Sequence, residues 1–411
     1  MAQIYGNGTT TATNGENVRI DALSEKAIRT AKREIIFEQL CDSRTMPLQH
    51  GKTLKVHKTL YILDDANTND QGLDQDGNPV NGDGNYGNLY GSSRSVYDIT
   101  DGLPKLSEGA GRVNRVGITR ITKQGTLTRM GAFLEYTDEV DLFSDAKMEM
   151  DYYEKMGELA AELYDDYLQK ELLGACGIEL YGGEAISLDE VCGEDDDNAI
   201  PSALTYSIIL DAEDMLAANH AKMNTEIIKG STLNGTVPVN ASYFAYCGRN
   251  TVRELNLLKD DFEQKAFVPA RMYAATGNLA KGEVGAVHST RFILAERMMK
   301  YDGAGKKVGA NAKGGWKYTH LTAAQAERRG HAAEEADYYD GLPIIYVTKG
   351  AFATIGLEGK GKIKFLSRKP GGTPDQQDPY SLQGIYSFNF FAGSISLEPE
   401  KMCRIVHATR F

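Results

Sequence analysis

The residues whose types and spacing could do chemistry fall into a few clusters, and each can be held against the geometry its chemistry requires. Gly82-Asp83-Gly84-Asn85-Tyr86-Gly87 has the GxGxxG spacing of a dinucleotide loop. That loop works only between a strand and a helix, because the helix N-terminus receives the pyrophosphate. Here both flanks are loop-like, rich in Asp, Asn and Gly, so the match reflects composition. Gly356-Leu357-Glu358-Gly359-Lys360-Gly361-Lys362 comes within one residue of a phosphate-binding loop, but Ile363 stands where a Mg²⁺-binding hydroxyl is needed, and a strand pattern follows in place of a helix. Asp74, Asp76 and Asn78 have the oxygen spacing of a calcium loop. Pro79 replaces the glycine that its turn needs, and Asn85 replaces the bidentate glutamate.

The seven histidines, His50, His57, His220, His288, His320, His331 and His407, never approach an HExxH pattern or one another at ligand spacing. Ser289 follows His288, but no serine sits in a GxSxG elbow. Carboxylate pairs such as Asp64–Asp65 and Glu194–Asp197 lie in hydrophilic runs, where charge ordinarily serves solvation. Cys41, Cys176, Cys192, Cys247 and Cys403 are odd in number and never spaced CxxC, which fits a reducing compartment. The expectation is a non-enzyme without metal or cofactor. With 57 acidic against 45 basic residues, a net charge of −12 argues against broad phosphate neutralisation as the main task. The N-terminus has no basic, apolar leader pattern and no apolar run reaches spanning length, so no export signal and no membrane partner are expected.

With little chemistry to position, the elements themselves become the subject. The longest is Thr137–Leu173, predicted as one amphipathic helix of roughly 30–37 residues, or ~45–55 Å. Asp151, Glu154, Glu158, Glu162 and Asp165 fall within about 80° of one another, and Tyr153, Met156, Ala160, Leu163 and Tyr167 are assigned to the buried side. Gly174 and Gly177 are expected to supply a left-handed stop. Residues 1–20, poor in apolar side chains, read as an arm. Ser24–Leu40 reads as a helix with an apolar stripe (Ala27, Ile28, Ala31, Ile35, Leu40) and a basic cluster (Lys26, Arg29, Lys32, Arg33). That cluster is either a solvated face or a contact with an acidic neighbour. Lys52–Leu63 alternates as a strand, pairing with Arg112–Leu127, and the core-poor residues 64–111 between them project outward or wrap a partner. Further on, Thr205 caps a second helix, strands fall at Tyr243–Cys247, Phe292–Leu294, Ile344–Val347, Lys362–Leu366, Ile385–Phe391 and Arg404–His407, and residues 303–337 read as a surface insertion. The class is α+β.

Four segments in order carry a resemblance: Met46-Pro-Leu-Gln-His-Gly-Lys-Thr-Leu-Lys-Val, Gly125-Thr-Leu-Thr-Arg-Met-Gly-Ala-Phe-Leu-Glu-Tyr-Thr-Asp-Glu, Gly282-Glu-Val-Gly-Ala-Val-His-Ser-Thr-Arg-Phe-Ile-Leu-Ala and Asp378-Pro-Tyr-Ser-Leu-Gln-Gly-Ile-Tyr-Ser-Phe-Asn-Phe-Phe-Ala-Gly-Ser-Ile-Ser-Leu. Together the chain resembles the major capsid proteins of N4-type tailed phages, within the Hong Kong 97-like capsid fold. The resemblance implies an N-terminal arm (1–51), an extended loop (52–130), a peripheral domain with the spine helix (131–200, completed by 350–411) and an axial domain (201–349). It implies pentamers and hexamers closing an icosahedral head around packaged double-stranded DNA, contacted non-specifically. It also implies scaffolding, portal and decoration partners, noncovalent assembly in the host cytoplasm, and a final place in the virion. A decoration or tail protein is the alternative within the same class, and an enzyme using the glycine loops is the reading from another class. The candidate intersubunit contacts are Lys26, Arg29 and Arg33, Lys55 and His57, Arg112, Arg115 and Arg120, set against Glu154, Glu158 and Glu162.

Overall fold

Two kinds of apolar pattern run through the chain, and they produce two kinds of sheet. Leu342–Val347 (LPIIYV) is apolar at every position and buried at every position. Such a strand needs cover on both faces. It lies inside an eight-stranded sheet ordered Ile178–Tyr181, Met402–His407, Leu342–Val347, Thr236–Cys247, Thr290–Leu294, Glu283–Val287, Val268–Pro269, with Asn224–Ile228 beside Thr236–Cys247. On one face Tyr243, Ala245, Phe292, Ile344, Tyr346 and Ile405 pack with Ile209, Ala212 and Leu216 of the helix Tyr206–Ala218 and with Leu255 of the helix Arg249–Leu257. On the other, Phe244, Tyr246, Ile293, Ile345 and Val347 join the core around the spine helix.

This computed structural model describes residues 35–49, 51–59, 96, 108, 120–143, 148–194, 200–228, 236–273, 279–309, 312, 314–357, 363–372 and 378–411. The expectations for residues 1–34, including Lys26, Arg29 and Arg33, for Arg112 and Arg115, and for the loop motifs at 74–87 lie outside the described residues. The chain divides into Thr53–Gly125 and a unit holding the rest. In the smaller unit Thr53–Thr59 pairs with Arg120–Thr126, and Leu54 and Val56 are half-buried while Lys55, His57 and Thr59 are exposed, the alternation expected of a strand covered on one side.

The second sheet of the larger unit has five strands: Asp42–Met46, Phe352–Leu357, Gln383–Ser396 and Ile363–Arg368 in order, with Thr128–Thr137 also paired to Gln383–Ser396. Gln383–Ser396 alternates, its Tyr386, Phe388, Phe390 and Ala392 turned into the core and Ser387, Asn389 and Phe391 only half-buried. The spine helix covers the inward face. Gly384 is required here: a Cβ would sit 2.2 Å from the ring of Tyr136, which stacks on Tyr386 at 5.2 Å.

The spine departs from expectation in three ways. Its described body is Met148–Ala175, 28 residues, and a separate short helix, Asp138–Phe143, precedes it. Gly174 lies inside the helix, and neither it nor Gly177 has a positive φ, so no left-handed stop forms. Gly177 serves a close approach instead, since a Cβ there would meet the Pro399 carbonyl oxygen at 2.7 Å. The buried face is Tyr153, Met156, Ala160, Tyr164, Leu168 and Leu172, while Leu163 is 38 % exposed. Two sheets, rather than one, enclose the helix, so its buried arc is wider and rotated from the one assigned by charge.

Residues 303–337 are not merely a surface insertion. Tyr318–Leu321 pairs with Ala336–Tyr339, and the helix Ala323–Arg328 between them starts with a Thr322–Gln325 capping box. Leu321, Ala326 and Tyr338 form a small core, and Trp316 packs with Val191, Tyr339 and Val406. A few well-placed large side chains suffice where composition suggests only surface. The eight-stranded sheet also draws Ile178–Tyr181 and Met402–His407 from the chain segments on either side of 201–349.

Candidate assembly interface

The described groups that resemble catalytic sets are structural. Glu213, on the helix Tyr206–Ala218, accepts hydrogen bonds from the Ser289 backbone N–H (3.1 Å) and the Thr290 hydroxyl (2.6 Å), and its other oxygen meets His288 Nδ1 at 2.5 Å. Ser289 Oγ approaches that same Nδ1, at 3.2 Å. A relay needs acid and nucleophile on opposite ring nitrogens, so this is a clamp on a hairpin turn in which His288 has φ +50°. Among the described residues no group of three or more His, Cys, Asp or Glu side chains could hold a metal ion, and no helix is long and apolar enough to cross a membrane.

The spine helix shows how the polar surface is divided. At ~100° per residue, the acidic stripe assigned from sequence lies on the shoulder of the helix rather than at the centre of its solvent face. Glu158, Glu162 and Asp165 also find partners within the chain. Asp165 is half-buried, and its Oδ1 accepts the backbone N–H groups of Ile36 and Phe37, each at 3.0 Å. Burial raises its pKa to about 6, against the lowering effect of those two N–H groups and of Lys281. Lys281 Nζ donates to the Ile35 carbonyl at 3.0 Å and the Tyr246 hydroxyl to that of Phe37 at 3.0 Å, so segment 35–41 is pinned to the body by three side chains.

Glu162 is ion-paired with Arg297, whose other nitrogen reaches Asp166 at 3.6 Å. Glu158 is paired with Lys155 at 2.7 Å, and Glu154 is half-buried. The centre of the exposed face instead holds Leu159 and Leu163, 38 % exposed each, with Lys155 and Lys170 nearby on the helical wheel. In the smaller unit Lys55 and Arg120 are exposed, and His57 Nδ1 meets Thr122 Oγ1 at 2.9 Å on the paired strand. The structure thus groups Lys55, His57 and Arg120 on one hairpin and Glu154, Glu158 and Glu162 on one helix.

Sequence reading missed Asp165 as a clamp, Arg297 as the partner of the spine acids, and Arg404. The Arg404 guanidinium donates to Glu179, to the Tyr301 hydroxyl (2.8 Å) and to the Leu173 carbonyl at the end of the spine (3.2 Å). One signal was available: the unbroken four-residue spacing of Met156, Ala160, Tyr164, Leu168 and Leu172 marks the buried line better than the charges do. No such signal exists for Arg297 or Arg404, whose partners are distant in sequence.

No protein-family model matches the chain. The major capsid protein of Pseudomonas phage KPP21 is 33 % identical over 391 residues, covering 94 % of this chain and 91 % of that protein. Among solved structures, the capsid of Ralstonia phage GP4 aligns over 92 % of this chain and 90 % of its own at a TM-score of 0.53 and 11 % identity. The capsid structure of the cyanophage P-SCSP1u aligns over 91 % and 88 % at 0.49 and 14 %. The GP4 likeness extends the mixed helix-and-strand architecture to a phage capsid fold. Identity of 33 % to the Pseudomonas phage protein along almost the whole length of both chains places this chain in the family of bacteriophage major capsid proteins.

Proposed function

We propose that this chain is the major shell subunit of an N4-type tailed phage with the Hong Kong 97-like fold. It assembles noncovalently in the host cytoplasm into pentamers and hexamers that close an icosahedral head around double-stranded DNA. The observation that carries this is the 33 % identity to a major capsid protein over 94 % of the chain. In this reading residues 1–51 are the arm, 52–130 the extended loop laid over a neighbour, 131–200 with 350–411 the peripheral domain, and 201–349 the axial domain. Lys55, His57 and Arg120 on the hairpin, with Lys26, Arg29, Arg33, Arg112 and Arg115, supply basic contacts for the shoulder acids of a neighbouring spine. Scaffolding, portal and decoration proteins are the further partners.

The net charge of −12 suits a container. A wall that neutralised many phosphates would bind packed DNA in a salt-dependent way and hinder its movement. Electron microscopy of the purified chain and its copy number in virions test the proposal: closed shells and the highest copy number of any head protein are expected. A monomer absent from virions overturns it, and a low copy number points to a decoration or tail component. Deleting residues 66–108 and joining the ends with a short turn leaves the body folded and abolishes normal shells.

A further inference from the structure

The five-stranded sheet turns one face to the spine and leaves the other open. Tyr386, Phe388 and Phe390 of Gln383–Ser396 pack in the core around the spine, so the positions alternating with them point away from it. At the centre of that outward face Phe133 and Leu366, 66 % and 44 % exposed, flank Ser387 in register. One row on, Gly131 and Asn389 keep the floor low beside Lys364. Both large side chains stand on strands whose ladders to Gln383–Ser396 run without a break, so their backbone has little freedom left to lose on binding. An apolar centre inside a polar rim marks a protein-binding surface.

The rim is charged, and unevenly. In the row beyond Gly131 the exposed Arg129 lies over the Phe391 ring at 5.7 Å, and with the exposed Lys364 it makes that end of the face basic. At the opposite end Arg368 and the exposed Glu135 flank Ile385 and offset one another. The uncompensated charge of the face is thus positive, on a chain whose net charge is −12. Three strands ~4.8 Å apart and about nine residues at a rise of ~3.3 Å make a platform on the order of 400 Å², roughly half of what each partner gives to a standard stable interface.

We infer that this face docks a head protein other than the shell subunit, its apolar knob seated on Phe133 and Leu366 and its acidic rim set against Arg129 and Lys364. The charges choose the occupant. Two copies meeting through this face would set cation against cation. The backbone of duplex DNA would answer the cations but offers phosphate and sugar, with no apolar surface for the centre. A platform of this area holds a partner weakly on a single chain, whereas a partner that bridges several platforms of a closed shell is held far more tightly. The inference rests on the shell reading and deepens it by naming the surface and the chemistry of a decorating partner.

The test uses purified heads and the full unassembled chain. Phe133→Ser, and Arg129→Glu combined with Lys364→Glu, are expected to form shells at wild-type yield by electron microscopy with an unchanged melting temperature, because all three positions are exposed. Quantitative mass spectrometry of the heads is expected to show one and the same acidic second protein reduced at least tenfold in both, and rising salt is expected to strip that protein from wild-type heads. Loss of shells with the melting temperature kept overturns the inference, by giving the face to a second copy. Unchanged head composition overturns it, as does loss of a basic protein in place of an acidic one. Binding of a short synthetic DNA duplex by the wild-type chain, abolished by the paired glutamates, also overturns it. A wild-type chain absent from heads overturns the shell reading itself, and the inference with it.

Discussion

The two large sheets of the larger unit are built from similar residues and buried differently. In Leu342–Val347 neighbouring residues Ile344 and Ile345 are both fully buried, one in the core under the helix Tyr206–Ala218 and one in the core around the spine. In Gln383–Ser396 neighbouring residues Phe388 and Asn389 divide, the first buried against the spine and the second on the outer face beside Gly131 and Lys364. That outer face also carries Phe133, 66 % exposed, with Leu366 across Ser387 from it. The difference teaches that layering is written in the period of the strand. A continuous apolar run demands two covers, an alternating one demands one and leaves a face free for other work.

The largest effects should fall where this contrast is sharpest. Phe388→Ala is expected to cost about 3–5 kcal/mol and Ile344→Ala and Ile345→Ala about 2–5 kcal/mol each, by cavity formation. Asn389→Ala should stay within about 0.5 kcal/mol. Urea unfolding of the unassembled chain checks all four, and a gap between Ile344 and Ile345 as wide as that between Phe388 and Asn389 would break the comparison. Next comes the link between the sheet and the spine. Arg404, the single half-buried position in Met402–His407, faces Glu179 in register. Arg404→Met removes charged hydrogen bonds to Glu179, Tyr301 and the Leu173 carbonyl and is expected to cost about 1.5–3 kcal/mol, seen as a lower unfolding midpoint.

Asp165 sharpens the comparison from the side of the spine. Its folded-state pKa, about 6, lies above the 3.8 of the free side chain because burial outweighs its partners. The native state therefore holds this proton more tightly than the unfolded chain does. The stability it contributes is fully present below about pH 4 and is lost as pH rises through about 6, with a slope of at most about 1.4 kcal/mol per pH unit. Asp165→Asn keeps an acceptor for Ile36 and Phe37 and should flatten that slope in melting curves taken from pH 4 to 7. The smallest effect is expected at Phe133→Ser, within about 0.5 kcal/mol by the same unfolding measurement, because the open face surrenders little buried area there.

Much of this was legible in residue order. The strands read at Phe292–Leu294, Ile344–Val347 and Ile385–Phe391 occur inside Thr290–Leu294, Leu342–Val347 and Gln383–Ser396, because strand signals are local and repeat every two residues. The hairpin pairing of Thr53–Thr59 with Arg120–Thr126 was legible for the same reason. The candidate site was less so. The acids of the spine were found by spacing, yet whether they face solvent depends on what packs beside the helix. Arg297 and the backbone of Ile36 and Phe37 arrive from far along the chain.

By itself the sequence determined the period of each element, the lack of a convincing catalytic motif and, through four ordered segments, the kinship with phage shell proteins. Only the tertiary structure decided that two sheets share one helix, which turned Leu163 outward and Asp165 inward. Only the order of strands in the sheet set Ile178–Tyr181 and Val268–Pro269 at opposite ends. The physical reason is the same in each case: periodicity is a property of neighbours along the chain, whereas burial and charge pairing belong to neighbours in space.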